Sequence, residues 1–203
     1  MVKGTKERIL EEALRLFAQN GYLATSMSNI AEKVGITKAA LYKHYDSKQE
    51  ILDCIVERMN QMDEERIKEY HMPHGTFKEM TEEYKMASLE KIIMISQAQV
   101  QHWLEDNFSC DFRRMITLEQ YRDENMSNLY QQYLVNGPIN YMEKLFSEMV
   151  PNQNAKRLAI EFYGPMYLMM SMYDGGVSRE EIMELIKEHI NHFDKRMKED
   201  LSN

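Results

Sequence analysis

Apolar residues recur every three or four positions along most of the chain, which is the spacing of one buried face of an α-helix. In the first such segment, residues 5–20, the apolar stripe consists of Ile9, Ala13, Leu16 and Phe17. Nowhere does the sequence alternate apolar and polar positions between turn signals, as a half-buried strand would. Counted by helix starts and stops, the pattern predicts an all-α protein with about nine or ten helices.

Capping residues divide the next part of the chain into two short helices. Ser26 can cap a helix that runs to Val34, and Gly35 then provides a turn. Thr37 can cap a second helix, which is predicted to end at residue 44 or 45. The sequence Ser-Lys-Gln-Glu that follows has the pattern of a capping box and opens a long predicted helix.

Residues 27–45 have the pattern of a helix-turn-helix. Two closely crossing helices need a small residue at the crossing, where Ala31 stands, and a residue tolerant of positive φ in the turn, where Gly35 stands. The inward-facing apolar residues around the turn are Ile30, Val34, Ile36 and Leu41. The second helix presents short or basic side chains that suit the DNA major groove, namely Thr37, Lys38, Ala39 and Lys43.

Together with its flanks, this stretch resembles the TetR family of repressors. The resemblance covers residues 5–52 and continues outside the helix-turn-helix, which makes it specific. The residues that carry it are Thr5-Lys6-Glu7-Arg8-Ile9-Leu10, Ala13, Leu16-Phe17, Asn20-Gly21-Tyr22, Thr25-Ser26, Ile30-Ala31, Gly35-Ile36, Leu41-Tyr42, His44-Tyr45 and Ser47-Lys48. Many relatives have glycine where this chain has Ala39, whose methyl group could touch a thymine methyl or limit the approach of the backbone to DNA.

The resemblance implies a role in DNA binding for each matching position. Ser26 and Tyr42 would contact phosphates, and Lys48 would meet another phosphate at a helix N-terminus. His44 would lie near the DNA backbone. The residues that would face base edges are Thr37, Lys38, Ala39 and Lys43. The alternative is that Tyr42 and His44 only pack the domain and that the lysines form a solvated face.

The resemblance also divides the chain into two domains. Residues 1–48 would be a three-helix DNA-binding domain, and residues 49–203 a helical bundle for effector binding and dimerisation. In this family the last two helices of each subunit pair into a four-helix dimer interface. The residues assigned to that interface are Phe162, Met166, Met169, Ile182, Ile186 and Phe193. The alternative is that both helices complete a monomeric core.

The helical bundle is expected to hold a small-molecule effector. Between residues 80 and 133, methionines and tyrosines accompany the only tryptophan, and such side chains suit a largely apolar or aromatic ligand. The pocket candidates are Met94, Trp103 and Tyr121. Ordinary core packing is the alternative explanation for most apolar residues of this segment.

The net charge of −8 is opposite in sign to what DNA attracts, but it is unevenly distributed along the chain. Residues 1–50 carry eight basic and six acidic side chains, a net charge of +2, so the remainder carries −10. Such asymmetry indicates that the N-terminal part meets a polyanion. The predicted macromolecular partners are therefore double-stranded operator DNA and a second copy of the chain.

No metal or cofactor is expected. The two cysteines are far apart, so neither a disulfide framework nor a zinc knuckle is indicated. His71/His74 and His189/His192 have metal-compatible spacing but no cysteine nearby, and structural or surface roles are favoured. The N-terminus lacks an apolar leader and no apolar stretch is long enough to span a membrane, so a cytoplasmic protein is expected.

Two other classes of function compete with a regulator. A helical enzyme would need a catalytic motif, and the sequence contains no Gly-x-Gly-x-x-Gly, Gly-x-Ser-x-Gly, His-Glu-x-x-His or phosphate-binding loop. A helical adaptor would not need a basic helix beside a glycine turn. The sequence therefore favours a non-enzymatic repressor that binds an inverted-repeat operator as a dimer and is released by a ligand.

Overall fold

The structure is a computed structural model that describes residues 4–69, 89–150 and 154–202. All regular secondary structure in these ranges is helical, which confirms the all-α prediction. The ten helices described are α1 (Thr5–Asn20), α2 (Met27–Val34), α3 (Lys38–Leu41), α4 (Lys48–Glu69), α5 (Leu89–Glu105), α6 (Asn107–Glu119), α7 (Glu124–Leu134), α8 (Asn136–Met149), α9 (Ala155–Asp174) and α10 (Arg179–Ser202).

The predicted capping residues start the short helices as expected. The Ser26 hydroxyl accepts a hydrogen bond from the Asn29 amide at the start of α2, and the Thr37 hydroxyl accepts one from Ala40 at the start of α3. Helix α3 is shorter than predicted, because the amides of residues 43 and 44 donate to carbonyls three residues earlier rather than four. Lys43 donates to Ala40 and His44 to Leu41, which tightens the chain into turns.

The chain forms two compact units. The head unit joins residues 1–66 with 106–130, and the tail unit joins residues 67–105 with 131–203. The head unit therefore contains α6 in addition to the helix-turn-helix, although α6 lies far along the sequence. The functional boundary expected at residue 48 stays a prediction.

Arg58 of α4 fastens three helices of the head unit together. Its guanidinium pairs with Glu7 of α1 and lies 3.5 Å from the carboxylate of Glu11, also on α1. It also lies 4.4 Å from the ring centroid of Phe108 on α6. Helices α1, α4 and α6 thus share one basic side chain as a common contact.

The tail unit is built around a cluster of phenylalanines. Phe162 of α9 meets Phe146 of α8 edge-on at 5.9 Å between ring centroids and lies 4.8 Å from Phe193 of α10. Tyr163 of α9 donates a hydrogen bond from its hydroxyl to the Leu134 carbonyl at 2.8 Å. Aromatic packing at these distances stabilises the contact between α8, α9 and α10.

This packing places most of the residues assigned to a dimer interface inside a single chain. Five of the six are buried inside a single chain, at 2% exposure or less: Phe162, Met166, Ile182, Ile186 and Phe193. Packing within one chain is enough to account for their burial, and their role in a dimer interface stays a prediction. Met169 is half-buried. The apolar side chains that α9 leaves exposed are instead Ile160 and Leu168, at 48% and 61% exposure.

Two further features bear on the expectations about membranes and metals. Among the residues that the structure describes, no helix combines the length and apolar character needed to cross a membrane. In the same ranges no three histidine, cysteine or acidic side chains are grouped to hold a metal ion. The pair His71/His74 lies outside the described residues, while His189 donates from Nε2 to the Phe162 carbonyl at 2.8 Å.

Candidate DNA-binding site

Helix α3 and the turn around it expose most of the side chains predicted to meet DNA. Thr37, Lys38, Ala39 and Lys43 are all exposed. The short helix is held to the domain from its other side by Leu41, which is fully buried. One face is therefore fixed in the core while the opposite face presents a hydroxyl, a methyl group and two ammonium groups to solvent.

Tyr45 anchors the end of this segment. It is 3% exposed, and its hydroxyl donates to the carbonyl of Lys6 in α1 at 3.2 Å. Burial, with smaller contributions from neighbouring acidic groups and Cys54, raises the pKa of Tyr45 to about 12. The phenol therefore stays neutral as a donor, and the start of α1 is tied to the end of the helix-turn-helix.

The turn between α2 and α3 has the conformation that the sequence predicts. Gly35 has φ 77° and ψ 35°, the left-handed region that glycine adopts at low cost. Its amide donates to the Glu32 carbonyl at 3.0 Å, and the Ile36 amide donates to the Ala31 carbonyl at 2.9 Å. These bonds satisfy carbonyls at the end of α2 and turn the chain into α3.

The residues predicted to contact phosphates or to lie near the DNA backbone differ in exposure. Ser26 is exposed, and its capping box with Asn29 orders the first turn of α2. Tyr42 is 43% exposed, and the ammonium of Lys38 lies 6.0 Å from its ring centroid. His44 is half-buried. Their contacts with DNA stay predictions.

Lys48 does not present a free ammonium group to DNA. Its Nζ donates to the carbonyls of Tyr22 at 2.6 Å and Thr25 at 2.8 Å, with the Leu23 carbonyl at 3.5 Å. It also lies 4.3 Å from the ring centroid of Tyr22. Burial lowers the pKa of this ammonium, and the nearby Glu119 carboxylate opposes that shift. In the structure Lys48 therefore secures the turn between α1 and α2, and the phosphate contact expected of it stays a prediction.

We expect Lys48→Met to destabilise the protein without changing the salt dependence of DNA binding. Two carbonyls would lose a charged donor, at a cost of about 1–2 kcal/mol in the free energy of unfolding. Lys43→Met, which removes an exposed cation, is the matched control and should make the salt slope shallower by about one unit. Denaturant unfolding and salt-titrated fluorescence anisotropy measure both effects. A shallower slope for Lys48→Met would restore Lys48 as a phosphate contact.

The three effector candidates belong to two different units and differ in exposure. Trp103 is buried, at 6% exposure, with its ring edge-on to Tyr133 at 6.4 Å between centroids. Met94 is 55% exposed and Tyr121 is 90% exposed, and Tyr121 belongs to the head unit while the other two belong to the tail unit. The side chain of Tyr121 stands almost fully in solvent in the turn after α6, and its assignment to a pocket stays a prediction.

Glu119 contacts the site, although no sequence motif or spacing indicates that it does. The Glu119 side chain, at the end of α6, is fully buried and accepts a hydrogen bond from the Tyr22 amide at 2.9 Å. Tyr22 opens the turn that leads from α1 into α2. Because 97 positions separate the two residues, neither periodicity nor spacing could have related them.

The N-terminal segment matches known regulators in sequence. The family model described as bacterial regulatory proteins, tetR family, matches residues 9–55. The biofilm operon icaADBC HTH-type negative transcriptional regulator IcaR of Staphylococcus epidermidis is 44% identical over 52 residues, 26% of this chain and 28% of IcaR. The uncharacterised HTH-type regulator YerO of Bacillus subtilis is 47% identical over 47 residues, 23% of this chain and 16% of YerO. The matches thus span less than a third of either relative.

The fold likeness extends over nearly the whole chain. A transcriptional regulator of the TetR/AcrR type from Aquifex aeolicus superposes with a TM-score of 0.65 at 21% identity, covering 93% of this chain and 98% of that one. At this identity the likeness concerns the fold alone. It agrees with an N-terminal helix-turn-helix followed by further helices.

Proposed function

We propose that this chain, which belongs to the TetR family of bacterial regulatory proteins through its N-terminal segment, is a dimeric repressor that binds an inverted-repeat operator. The observation that carries the proposal is the exposed face of α3. On its opposite side Leu41 is buried in the core, and the left-handed turn at Gly35 leads from α2 into this helix. Thr37, Lys38, Ala39 and Lys43 stand on or directly beside that face. IcaR, to which the N-terminal segment is similar, is a negative transcriptional regulator, and this supports repression as the mode of action.

The distribution of charge supports DNA as the partner. The first 50 residues carry a net charge of +2 in a chain whose total is −8. A positive surface attracts the phosphate backbone from any sequence, and base contacts from a helix in the major groove then select one sequence. The acidic remainder would lower unspecific attachment of the rest of the protein to nucleic acid.

The exposed apolar stripe of α9 supports a second copy of the chain as the dimer partner. Ile160, Gly164 and Leu168 follow each other at intervals of four residues and therefore share one face. A β-carbon on Gly164 would meet no atom within 4 Å, so backbone is accessible between the two exposed apolar side chains. Small residues between apolar ones allow two helices to approach closely, as in a symmetric helix pair.

A dimer would place two copies of α3 in successive major grooves. The operator would then be an inverted repeat whose half-sites lie about 34 Å apart, one helical turn of DNA. A ligand that binds a conformation with another separation of the two helices would release the operator, since it shifts the equilibrium by its differential affinity.

The effector proposal now rests on the tail unit around Trp103. A largely apolar small molecule remains the class that this methionine- and aromatic-rich segment favours. Ordinary packing against Tyr133 also accounts for the buried tryptophan. Its fluorescence is a direct reporter for candidate ligands, to be compared with operator release over the same concentration range.

Selection of binding sites from a randomised duplex pool tests the function. The wild-type chain should enrich an inverted repeat. Thr37→Ala and Lys38→Ala should each relax selection at a particular base pair and cost about 1–3 kcal/mol on the selected site. Lys33→Ala, which removes an exposed lysine at the end of α2, serves as the matched control and should leave base preference unchanged. Uniform losses on all sequences would assign Thr37 and Lys38 to backbone contacts.

A further inference from the structure

In the turn between α1 and α2, residues 21–25, the two backbone polar groups of Tyr22 are hydrogen-bonded to side chains of opposite charge. The Tyr22 amide donates to the Glu119 carboxylate, and the Tyr22 carbonyl accepts from the Lys48 ammonium. Inside the turn, the Thr25 hydroxyl donates to the Gly21 carbonyl at 2.9 Å. The turn leads directly into Ser26, the cap of α2, so its conformation sets where the helix-turn-helix begins.

The Glu119 carboxylate is buried at a position where an apolar side chain would cost less free energy of desolvation. The side chain is fully buried, and among the described residues its Oε2 has no hydrogen-bond partner. Arg122 lies 3.6 Å from Oε1 but is itself about half exposed. A buried carboxylate with an unsatisfied oxygen costs stability, so its position against the turn calls for a compensating role.

The absence of a side chain at Gly21 leaves room for this carboxylate. A β-carbon at Gly21 would overlap Oε1 of Glu119, and the φ of 89° at Gly21 also favours glycine. The ring of Tyr22 packs edge-on against Phe17 at 5.1 Å between centroids, and its hydroxyl donates to Gln49 of α4. The amide, carbonyl and hydroxyl of Tyr22 therefore each have a hydrogen-bond partner, and the partner of the amide lies on α6.

We propose that Glu119 is a positioning residue for DNA binding: from α6 it holds the α1–α2 turn and thereby sets the orientation of the helix-turn-helix. The proposal rests on the DNA-binding function proposed above. A displacement of α6 by a fraction of a hydrogen-bond length would be passed to Tyr22 and from there to Ser26. Glu119 is thus one point at which the later part of the sequence acts on the helix-turn-helix.

The test compares Glu119→Met, Glu119→Gln and Asp111→Asn in the full chain. Glu119→Met keeps the size but removes the acceptor of the Tyr22 amide, and we expect about tenfold faster amide exchange in residues 21–25 and about tenfold weaker binding to the selected duplex. Glu119→Gln retains one acceptor oxygen and should recover most of both. Asp111→Asn removes an acid from the same helix, where it pairs with Arg114, and controls for charge.

The loss of a negative charge and the loss of the positioning contact are expected to change DNA affinity in opposite directions. Removing an acidic group from the protein strengthens its attraction to DNA, so Asp111→Asn should bind slightly more tightly than wild type. Glu119→Met should bind more weakly despite the same change in charge. Equal affinity of Glu119→Met and Asp111→Asn would overturn the proposal, and so would lost affinity with unchanged exchange in the turn. If wild type binds no duplex, the DNA-binding function fails, while exchange measured without DNA still decides whether Glu119 holds the turn.

Discussion

Phe162→Ala is expected to lower the free energy of unfolding by about 3–5 kcal/mol. Phe162 is fully buried and packs against Phe146 and Phe193, so its removal leaves a cavity among rings that come from three helices. A loss of this size is a large fraction of the stability of a typical domain. Denaturant unfolding followed by circular dichroism at fixed protein concentration measures it.

Phe162→Leu provides the graded control for this core position. Because leucine refills most of the cavity, its cost should lie well below that of alanine. A Phe162→Ala protein that keeps wild-type stability but sediments as a monomer would return Phe162 to a subunit interface. The packing inside one chain would then be the wrong explanation for its burial.

Leu168→Glu is expected to separate the proposed dimer into folded monomers. In a twofold-symmetric interface each substitution occurs twice, and each would bury an unpaired carboxylate. A cost of about 4 kcal/mol, near a thousandfold in the dimer dissociation constant, follows if the side chain lies at the centre of the contact. Sedimentation velocity across a concentration series measures the change.

Leu23→Glu is the matched control for this prediction. Leu23 is 62% exposed and Leu168 61%, so the same substitution meets nearly the same exposure in a single chain. Leu23 lies in the head unit, and its substitution should leave the oligomeric state unchanged. Dimers that survive Leu168→Glu, or monomers formed equally by both variants, would contradict an interface on the exposed stripe of α9.

Local signals carried the prediction of the helix-turn-helix. Ser26 and Thr37 cap the helices that follow them, and Gly35 takes the left-handed conformation, because each of these choices depends on neighbours within four residues. The same signals could not give the length of α3. Its end depends on how the amides after Leu41 choose between carbonyls three and four residues back, which no composition rule decides.

Long-range contacts limited the prediction of the site. The partners of Lys48 are backbone carbonyls about 25 positions earlier. Because any residue type can supply a carbonyl, no sequence pattern indicates these partners. The partner of Glu119 is a backbone amide, which nearly any residue type can supply, so this contact could not be predicted from the sequence either. Periodicity correctly marks Phe162 and Ile186 as facing a neighbour, but it does not tell a neighbour in the same chain from one in a second copy.

The affinity of the wild-type chain for its selected duplex, compared with a scrambled duplex of the same composition, tests the central claim most directly. Anisotropy at physiological salt should show a dissociation constant of about 10 nM or below and a preference of about a thousandfold or more over the scrambled duplex. A regulator that reads bases through α3 requires that preference. Equal weak binding to both duplexes, or a randomised pool from which no sequence is enriched, would contradict the account.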